Sequence, residues 1–530
     1  MNSDINSLGK PNSSDSTGVR GRRDLIAICV FAVVLVVFLT VFRYRSGDIE
    51  YWNSDATWHT LLTVRCYDEA PISQHLFLPI VTMGGEENKW ISWGSTIPDS
   101  QGNYYYTSFS PIGFFLPWLF MKIFNLPLAE KSLYLFNNIL FAISAVLIVM
   151  LIGAVYENNK DRNILMIISA IAYVCTPELL HGMGIVYWHQ SIMQVTLLAQ
   201  IYSFYLYEIK GKAGFKWIFY VLALCNPYIE WTGYVANIGF ALTEIMLNWK
   251  KSKSTGLKKA LLLGCITTAS FGIFCGHYLL RTNASDFFKA LMDRFMARNT
   301  LSETEVLVTD VLGSYFESFI YLWLLLFYVI VWIFIKNGSL KIGNGIILFV
   351  TAFPVIENII MKQHAVAYSY DKMKAVFVLI LLMCEIVINL FETYDSFKIR
   401  KIIVGFTIIA AVLNIRSYRF DELYTWKADF KNDNSKLAGF VTSEYPNALY
   451  ASDIAVRGYM NFLFDRGMYE WQSIDSAIEL AKEQGKENVI FITRDEEETN
   501  KLLPIQVINT ATGETKVFAI EDGKVTERQK

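Results

Sequence analysis

The sequence is poor in charge. Only 18% of its 530 residues are Asp, Glu, Lys or Arg, whereas a soluble domain carries about 25%. The net charge of −2 leaves no basic excess of the kind that nucleic-acid binding requires. Hydrophobic residues make up 53%, and uninterrupted apolar runs of about 18–22 residues recur, the length that crosses a bilayer. These features exclude a soluble enzyme, a disordered protein and a nucleic-acid binder, and they predict a polytopic integral membrane protein.

Paired cysteines and short catalytic motifs are also missing. Of the seven cysteines, only Cys66 lies in a polar segment, and their spacing indicates neither disulfides nor a zinc site. The sequence has no P-loop, GxSxG, HExxH or EF-hand pattern. Evidence for function must therefore come from how polar residues are distributed along the chain.

The chain divides into three parts. Residues 1–23 are rich in Ser, Asn and Gly and predict a disordered cytoplasmic tail. Residues 24–416 predict a transmembrane domain, whose first apolar run at 25–42 is too long for a signal-peptide core. That run is followed by a long, aromatic-rich outer loop at 43–110, which we expect to be folded at the membrane interface. Residues 417–530 are of a different, more polar composition.

The membrane domain is predicted to be an all-α bundle of about eleven or twelve spans. The candidate spans after the first are 133–156, 163–181, 189–208, 215–231, 233–249, 258–280, 316–336, 342–361, 373–392 and 400–416. Lysine-rich short loops, above all 250–259, are assigned to the cytoplasmic side. The apolar segment at 111–124 is short and contains Pro117, so it decides between the two counts. If that segment does not cross, the C-terminal region lies outside.

Residues 417–530 predict a small α/β domain outside the membrane, in the periplasm or the extracellular space. Strand-like segments occur at 447–452 and 489–493, with an amphipathic helix between them at 474–484. Two further strands, 505–509 and 515–520, flank a Thr-Gly turn and predict a hairpin.

Three carboxylates follow prolines near the predicted outer ends of spans. Pro177, Pro227 and Pro354 precede Glu178, Glu230 and Glu357. A broken helix frees backbone groups that are tolerated only inside protein or along a wet cavity, and an intramembrane carboxylate faces the bundle by default. Glu230 and Glu357 are therefore candidate substrate-binding residues; the alternative is that each glutamate caps or pairs locally.

The first outer loop holds the best candidate for a general base. Asp55 and His59 stand four residues apart and would share one face of a helix, and Arg65 follows. His59 and Arg65 are candidate substrate-binding residues. A base that acts on a lipid-borne substrate must lie at the membrane surface. Asp55 fits best, with Asp48 and Glu50 as rivals, and an ordinary capping role for Asp55 is the alternative.

The loop at 362–374 is cationic and rich in tyrosine. Such a segment at the bilayer surface is suited to holding a phosphate, through lysine ammonium groups and through His or Tyr donors. Its candidate phosphate-binding residues are His364, Tyr368, Tyr370, Lys372 and Lys374. The alternative is that Lys and Tyr only anchor the loop at the interface.

Taken together, these pieces resemble the GT-C superfamily of membrane glycosyltransferases, which take sugars from polyprenyl phosphate. The resemblance lies in Ser54-Asp55-Ala-Thr-Trp-His59 of the outer loop and in Tyr104-Tyr-Tyr-Thr-Ser-Phe-Ser-Pro-Ile-Gly-Phe-Phe-Leu-Pro117 at the entry to the next helix. It implies that Asp55 is the acidic residue of the first loop. It also implies that 364–374 is the later loop that contacts the carrier phosphate.

The resemblance implies a transferase of the bacterial cytoplasmic membrane. It would move a sugar from a polyprenyl-phosphate donor to a surface glycan, such as O-antigen, or to another lipid-linked acceptor. No metal ligands are assigned, because the adjacent Asp-Glu pair of some members is absent; a divalent cation, Mg²⁺ or Mn²⁺, is left open. A transporter or flippase of a lipid-linked sugar and a non-catalytic scaffold for glycan assembly are the competing hypotheses.

Overall fold

The computed structural model describes most of the chain. The described residues are 14–45, 55–82, 96–249, 252–298, 300–301, 304–320, 327, 331, 343–394, 396–420, 431–453, 458–493 and 504–528. Outside these described residues lie most of the predicted span at 316–336 and the rival bases Asp48 and Glu50. Trp90 and Trp93, two aromatic residues of the predicted outer loop, also lie outside them.

Helices dominate the described part of the chain. They are α1 (Ser14–Arg45), α2 (Asp55–Glu69), α3 (Ile72–His75), α4 (Ile112–Ile123), α5 (Glu130–Val155), α6 (Arg162–Val174), α7 (Pro177–Gly182), α8 (His189–Phe204), α9 (Phe215–Ile229), α10 (Thr232–Asn248), α11 (Lys253–Leu279), α12 (Ala284–Ala297), α13 (Val308–Ser318), α14 (Gly345–Ala352), α15 (Glu357–Ile360), α16 (Lys362–Ala367), α17 (Ala375–Thr393), α18 (Phe397–Phe420), α19 (Lys431–Glu444), α20 (Gly458–Phe464) and α21 (Ile474–Glu483). A π-helical turn at Tyr205–Ile209 extends α8, and 3₁₀ turns occupy Phe353–Ile356 and Ser369–Lys372.

Within the described residues, four helices are long and apolar enough to cross a membrane. They are residues Gly21–Arg45 of α1, together with α5, α11 and α17. Four shorter apolar segments accompany them: α4, α6, α9 and the stretch Gly345–Ile360. Helix α4 contains Pro117 and is 12 residues long, which at 1.5 Å per residue is about 18 Å, well short of a 30 Å hydrocarbon core. Because four of its helices are long and apolar enough to cross a bilayer, the chain is an integral membrane protein. The count of eleven or twelve spans stays a prediction.

The bundle packs around α5, α8 and α17. Helix α5 contacts α1, α6 and α8, while α9, α10 and α11 pack against one another. Helix α17 is the most enclosed of the four long spans, and α1 and α11 leave most of their side chains at the surface. Apolar side chains on that surface suit a lipid environment, where burying them in protein brings no hydrophobic gain.

The predicted first outer loop is folded in its two described parts, 55–82 and 96–110. It forms α2, α3 and an antiparallel hairpin of β1 (Thr96–Pro98) and β2 (Tyr104–Tyr106). Ile80 pairs with Tyr105 and extends this small sheet. A second short hairpin, β3 (Thr300–Leu301) and β4 (Thr304–Glu305), lies between α12 and α13.

The C-terminal region is an α/β domain. Its five strands are β5 (Ala448–Ser452), β6 (Asn488–Ile492), β7 (Ile505–Asn509), β8 (Thr515–Glu521) and β9 (Lys524–Arg528). They pair in sequence order, β5 parallel to β6 and the others antiparallel. Helix α21 covers one face of the sheet, and α19 and α20 pack with the opposite face. The predicted strands, helix and hairpin are all present; β9 and the parallel pairing were not predicted.

Candidate functional site

The broken helices bring polar side chains together inside one end of the bundle. Glu178 lies on α7, Glu230 ends α9, Glu357 begins α15 and Lys374 precedes α17. Each position lies beside a proline-induced break or a short turn, where a long helix would otherwise continue. We call this group the buried polar cluster; its members are Glu178, Gln190, Glu230, Thr232, Arg298, Tyr315, Glu357, Asn358, His364, Asp371, Lys372 and Lys374, all buried.

Three carboxylates form the centre of the cluster. Glu230, Glu357 and Asp371 each offer an oxygen within 4.8 Å of the other two. The side chain of Lys374 contacts the carboxylate of Glu357, and its Nζ lies 3.9 Å from Asp371 Oδ1. Thr232 links the same groups, because its hydroxyl lies 3.1 Å from Lys374 Nζ and 3.3 Å from Glu357 Oε2. One lysine thus lies beside two of the three carboxylates.

Asp371 is held by two side-chain amides. Gln190 Nε2 donates to Oδ1 over 2.9 Å, and Asn358 Nδ2 donates to Oδ2 over 3.1 Å. Asn358 in turn accepts a 2.7 Å hydrogen bond from the hydroxyl of Tyr315. Helices α8 and α15 thereby meet at Asp371, and α13 joins them through Asn358.

Lys372, a second lysine of the 362–374 loop, is also paired with protein groups. Lys372 Nζ donates to Ser314 Oγ over 2.7 Å and lies 3.8 Å from Glu178 Oε1. Both lysines that the sequence suggested for a phosphate are therefore paired with protein carboxylates. The positive charges of the two lysines offset part of the cost of burying those carboxylates.

Tyr368 and Tyr370 stack on each other beside these lysines, with ring centroids 5.3 Å apart. Gly182 makes this packing feasible, since a Cβ at that position would lie 2.7 Å from Tyr370 Cβ and 3.0 Å from its Cα. The loop can therefore approach α7 closely only because position 182 has no side chain.

Sequence reasoning did not single out six members of the cluster: Gln190, Thr232, Tyr315, Asn358, Asp371 and Arg298. Arg298 has contacts to both charged and aromatic neighbours. It is 3% exposed, its guanidinium contacts His364, and it lies 5.8 Å from the ring centre of Phe109. His364 Nδ1 is 3.6 Å from Asp371 Oδ2, so Arg298, His364 and Asp371 form one connected row. Only its position at the end of the amphipathic helix α12 could have drawn attention to it from sequence.

Two neighbouring cavities open beside the cluster. The first has an empty volume of about 200 Å³ and is lined by Glu230 together with Ser108, Phe109, Ser110, Pro227, Tyr228, Ile229, Trp231, Tyr234 and Phe274. The second has an empty volume of about 320 Å³ and is lined by Ser108, Trp231, Leu291, Arg294, Phe295, Arg298 and Met361. Ser108 and Trp231 line both, and Trp231 Nε1 donates to the Ser108 carbonyl over 3.0 Å.

The second cavity, which we call the arginine cavity, is lined by two guanidinium groups and by apolar side chains. Among the described residues, Arg294 Nε and Ser108 Oγ are buried and have no hydrogen-bond partner. An unpaired buried donor costs roughly 1–3 kcal/mol unless something accepts from it. The lining thus offers positive charge and unused donors beside the apolar side chains of Leu291, Phe295 and Met361.

Helix α2 lies against the same region. Asp55 is its first residue, and nothing is described of that side chain. One turn later His59 is buried, with its ring 4.4 Å from that of Tyr106 and 5.4 Å from that of Trp188. Both aromatic rings also contact Phe109, which lines the first cavity. The beginning of α2 is therefore connected to the cavities through aromatic packing.

His59 and Arg65, the sequence-predicted binding residues of α2, are not members of the cluster. Arg65 lies away from it. It packs against α20 of the C-terminal domain, donating to the Phe462 carbonyl over 3.2 Å. The structure therefore brings together Glu230, Glu357, His364, Tyr368, Tyr370, Lys372 and Lys374, and it separates Arg65 from them.

His75 illustrates how a histidine of the outer loop can be structural. Burial lowers the pKa of His75 to about 4, so the ring is neutral at pH 7. Its Nδ1 accepts a 2.8 Å hydrogen bond from the Phe77 amide, and Tyr67 stacks on it at 4.8 Å. These contacts fix the turn after α3.

The fold and the site define an integral membrane protein with a buried polar cluster and adjoining cavities at one end of a helical bundle. No protein-family model and no curated protein matches the sequence. Solved structures do resemble the fold.

One of them is ArnT from Cupriavidus metallidurans bound to undecaprenyl phosphate, with a TM-score of 0.56, 10% identity, and coverage of 94% of this chain and 97% of that chain. Another is the Archaeoglobus fulgidus oligosaccharyltransferase in the apo form, with a TM-score of 0.54, 11% identity, and coverage of 88% and 69%. A third is the oligosaccharyltransferase AglB of that archaeon with an inhibitory peptide and a dolichol-phosphate, at a TM-score of 0.51 and 11% identity.

These neighbours are polyprenyl-phosphate-dependent membrane glycosyltransferases of the GT-C superfamily. The resemblance to that superfamily is therefore confirmed at the level of the fold. Because sequence identity is only 10–11%, the likeness concerns the fold and assigns no residue a role.

The first prediction concerns the charge balance of the cluster. Lys374→Met should destabilise the protein by roughly 3–5 kcal/mol, because it leaves buried carboxylates uncompensated. The double variant Lys374→Met/Glu357→Gln should recover part of that loss, since one of those charges is then gone as well. The measurement is the unfolding midpoint of the detergent-solubilised protein.

Lys289→Met, on the exposed face of α12, is the matched control and should leave the midpoint unchanged. Equal midpoints for Lys374→Met and the wild type would show that the carboxylates do not depend on this lysine.

Proposed function

We propose that this protein is a membrane glycosyltransferase that transfers a sugar from a polyprenyl-phosphate donor to an acceptor hydroxyl. The arginine cavity is the observation that carries the proposal. A lipid phosphate needs cations for its head and an apolar wall for its first isoprene units, and this cavity offers both. The similarity of the fold to ArnT and to AglB supports the same conclusion.

Arg294 and Arg298 are the proposed phosphate ligands. Guanidinium groups bind phosphate oxygens through paired N–H donors, and Nε of Arg294 has no partner among the described residues. Lys372 and Lys374 are engaged with Glu178 and Glu357 instead. In this proposal His364 orients Arg298, and the two lysines keep the carboxylates of the cluster in place.

Asp55 is the proposed general base. Its position at the start of α2 places it one turn before His59, whose aromatic neighbours contact Phe109 at the first cavity. The carboxylate would take the proton of the acceptor hydroxyl as the hydroxyl oxygen forms a bond to the anomeric carbon. The bond between that carbon and the phosphate oxygen breaks, and the polyprenyl phosphate leaves with its charge held by Arg294 and Arg298.

The first cavity is the proposed place for the transferred sugar. Its lining combines Trp231 and Tyr234, which can stack on a sugar ring, with the buried carboxylate of Glu230. The proposed acceptor is a surface glycan or another lipid-linked saccharide outside a bacterial cytoplasmic membrane. The cluster, α2 and the C-terminal domain would then all lie on the outer side.

A divalent cation, Mg²⁺ or Mn²⁺, is a further part of the proposal. The carboxylates of Glu230, Glu357 and Asp371 fit such an ion, since their oxygens lie within 4.8 Å of one another and hard cations prefer oxygen ligands. Glu357 Oε1 is buried and has no hydrogen-bond partner in the described part of the chain. When bound, the ion would supply positive charge near the leaving phosphate.

The second prediction tests the proposed base. Asp55→Asn should lower transfer from a polyprenyl-phosphate sugar by about 10²–10⁴-fold, the usual contribution of a general base. The measurement is label transfer to lipid-linked or surface glycan in membranes with equal amounts of each variant.

Arg528→Gln, at an exposed pair with Glu521 in the C-terminal domain, is the control and should transfer at the wild-type rate. Full activity of Asp55→Asn would move the base to another carboxylate. If the wild type transferred none of the donor sugars but moved the lipid-linked sugar across the membrane, the flippase hypothesis would replace the transferase.

The third prediction tests the cation directly. Purified protein in detergent should bind about one Mn²⁺ per chain, seen as loss of the electron paramagnetic resonance signal of the free ion. Glu357→Gln should weaken this binding at least about tenfold, because a ligand oxygen and its charge are lost.

Glu385→Gln provides the matched control for the Mn²⁺ measurement. Glu385 is also a buried carboxylate, but it accepts hydrogen bonds from Tyr156, Asn344 and the Gly343 amide, and its replacement should not change binding. Equal Mn²⁺ affinity in the two variants would exclude the triad as the site.

A further inference from the structure

The C-terminal domain holds the helix that carries the proposed base. Helix α20 of that domain packs along α2 of the first outer loop. The phenyl ring of Phe462 lies between two side chains of α2, 5.6 Å from the ring of Trp58 and 4.9 Å from the Arg65 guanidinium carbon. Trp58 and Arg65 are seven residues apart, two helical turns, so they lie on one face of α2.

Arg65 makes several contacts to α20 at once. Its Nη1 donates to the Phe462 carbonyl over 3.2 Å and lies 3.9 Å from Asp465 Oδ1. Its Nε is 3.6 Å from Glu69 Oε1, one turn further along α2. Asp465 has a φ of 53°, a left-handed conformation that Asp tolerates better than most residues, and it ends α20 directly after the contact. This arrangement fixes the guanidinium plane over the Phe462 ring.

The opposite side of α2 is fixed to the bundle. Thr60, Thr63 and Tyr67, on the face of α2 opposite to Trp58 and Arg65, are buried, and the Thr57 hydroxyl accepts a 3.2 Å hydrogen bond from the Tyr187 amide. Helix α2 is therefore enclosed between the bundle and α20. Its first residue is Asp55, so any rotation or tilt of α2 moves that residue relative to the cavities.

We infer that the C-terminal domain is a positioning element of the active site, acting through Phe462, Trp58 and Arg65. This inference rests on the proposed transfer reaction. None of the three residues lines either cavity, so they act through α2 rather than on the substrate. Arg65, which the sequence suggested as a substrate contact, is a positioning residue in this account.

The fourth prediction follows from this inference. Phe462→Ala should lower kcat for sugar transfer about 10–100-fold, because a displacement of about 1 Å in a reacting group can cost that much. KM for the lipid donor should stay within about twofold, since the donor site is untouched. Phe462→Tyr keeps the ring between Trp58 and Arg65 and should restore kcat. Trp471→Ala, an exposed residue of the same domain, should leave both constants unchanged.

Hydrogen exchange provides a readout that does not depend on activity. Amides of residues 56–69 should exchange faster in Phe462→Ala than in the wild type, and at the wild-type rate in Phe462→Tyr and Trp471→Ala. If Phe462→Ala does not fold, Arg65→Gln tests the same contact without touching the core of the domain. It should likewise lower kcat with KM preserved.

Two results would overturn the inference, and a third is diagnostic of the proposed function. Wild-type kcat and wild-type exchange of residues 56–69 in Phe462→Ala would remove the positioning role. A raised KM with unchanged kcat in Arg65→Gln would make Arg65 a substrate contact instead. A wild type that transfers no sugar would reject the proposed function itself, while the exchange data would still report whether α20 holds α2.

Discussion

The cost of burying charge is the constraint on which the rest of this structure depends. Four carboxylates of the cluster, Glu178, Glu230, Glu357 and Asp371, are at most 3% exposed within a bundle whose outer surface is apolar. Such groups survive only where cations and hydrogen-bond donors converge on them. The chain provides that convergence by interrupting its helices at Pro177, Pro227 and Pro354, so that polar helix ends meet where continuous spans would have placed apolar side chains.

The cations of the cluster and of the adjoining arginine cavity divide into two groups with different tasks. Lys372 and Lys374 contact protein carboxylates, so their charge is largely used within the fold. Arg294 and Arg298 line a cavity with apolar walls, and they are the groups that remain for a ligand. A lysine ammonium serves well as a compact neutralising charge, whereas the flat guanidinium group suits a phosphate. For this reason we propose that the lysine-rich loop supports the phosphate site but does not itself bind the phosphate.

Much of the fold was predictable because its signals are local. Apolar runs located most of the helices, and alternation with a Thr-Gly turn located the C-terminal hairpin. The Pro-Glu pattern also predicted that Glu230 and Glu357 face the interior. Contacts between distant segments left no local signal: Arg298 contacts His364 across 66 positions, and Arg65 contacts Phe462 across 397. Periodicity shows which face of a helix is buried, but it does not show which segment covers that face. For that reason the sequence favoured Lys372 and Lys374 for the phosphate and missed Arg298.

The central claim is that the arginine cavity holds the phosphate of a polyprenyl carrier. The most direct measurement is a cryo-electron microscopy structure of the full-length protein with undecaprenyl phosphate. We expect phosphate density within hydrogen-bonding distance of Arg294 and Arg298, with the first isoprene units against Leu291, Phe295 and Met361. Density for the phosphate elsewhere in the bundle, with both arginines uninvolved, would exclude the arginine cavity as the carrier site.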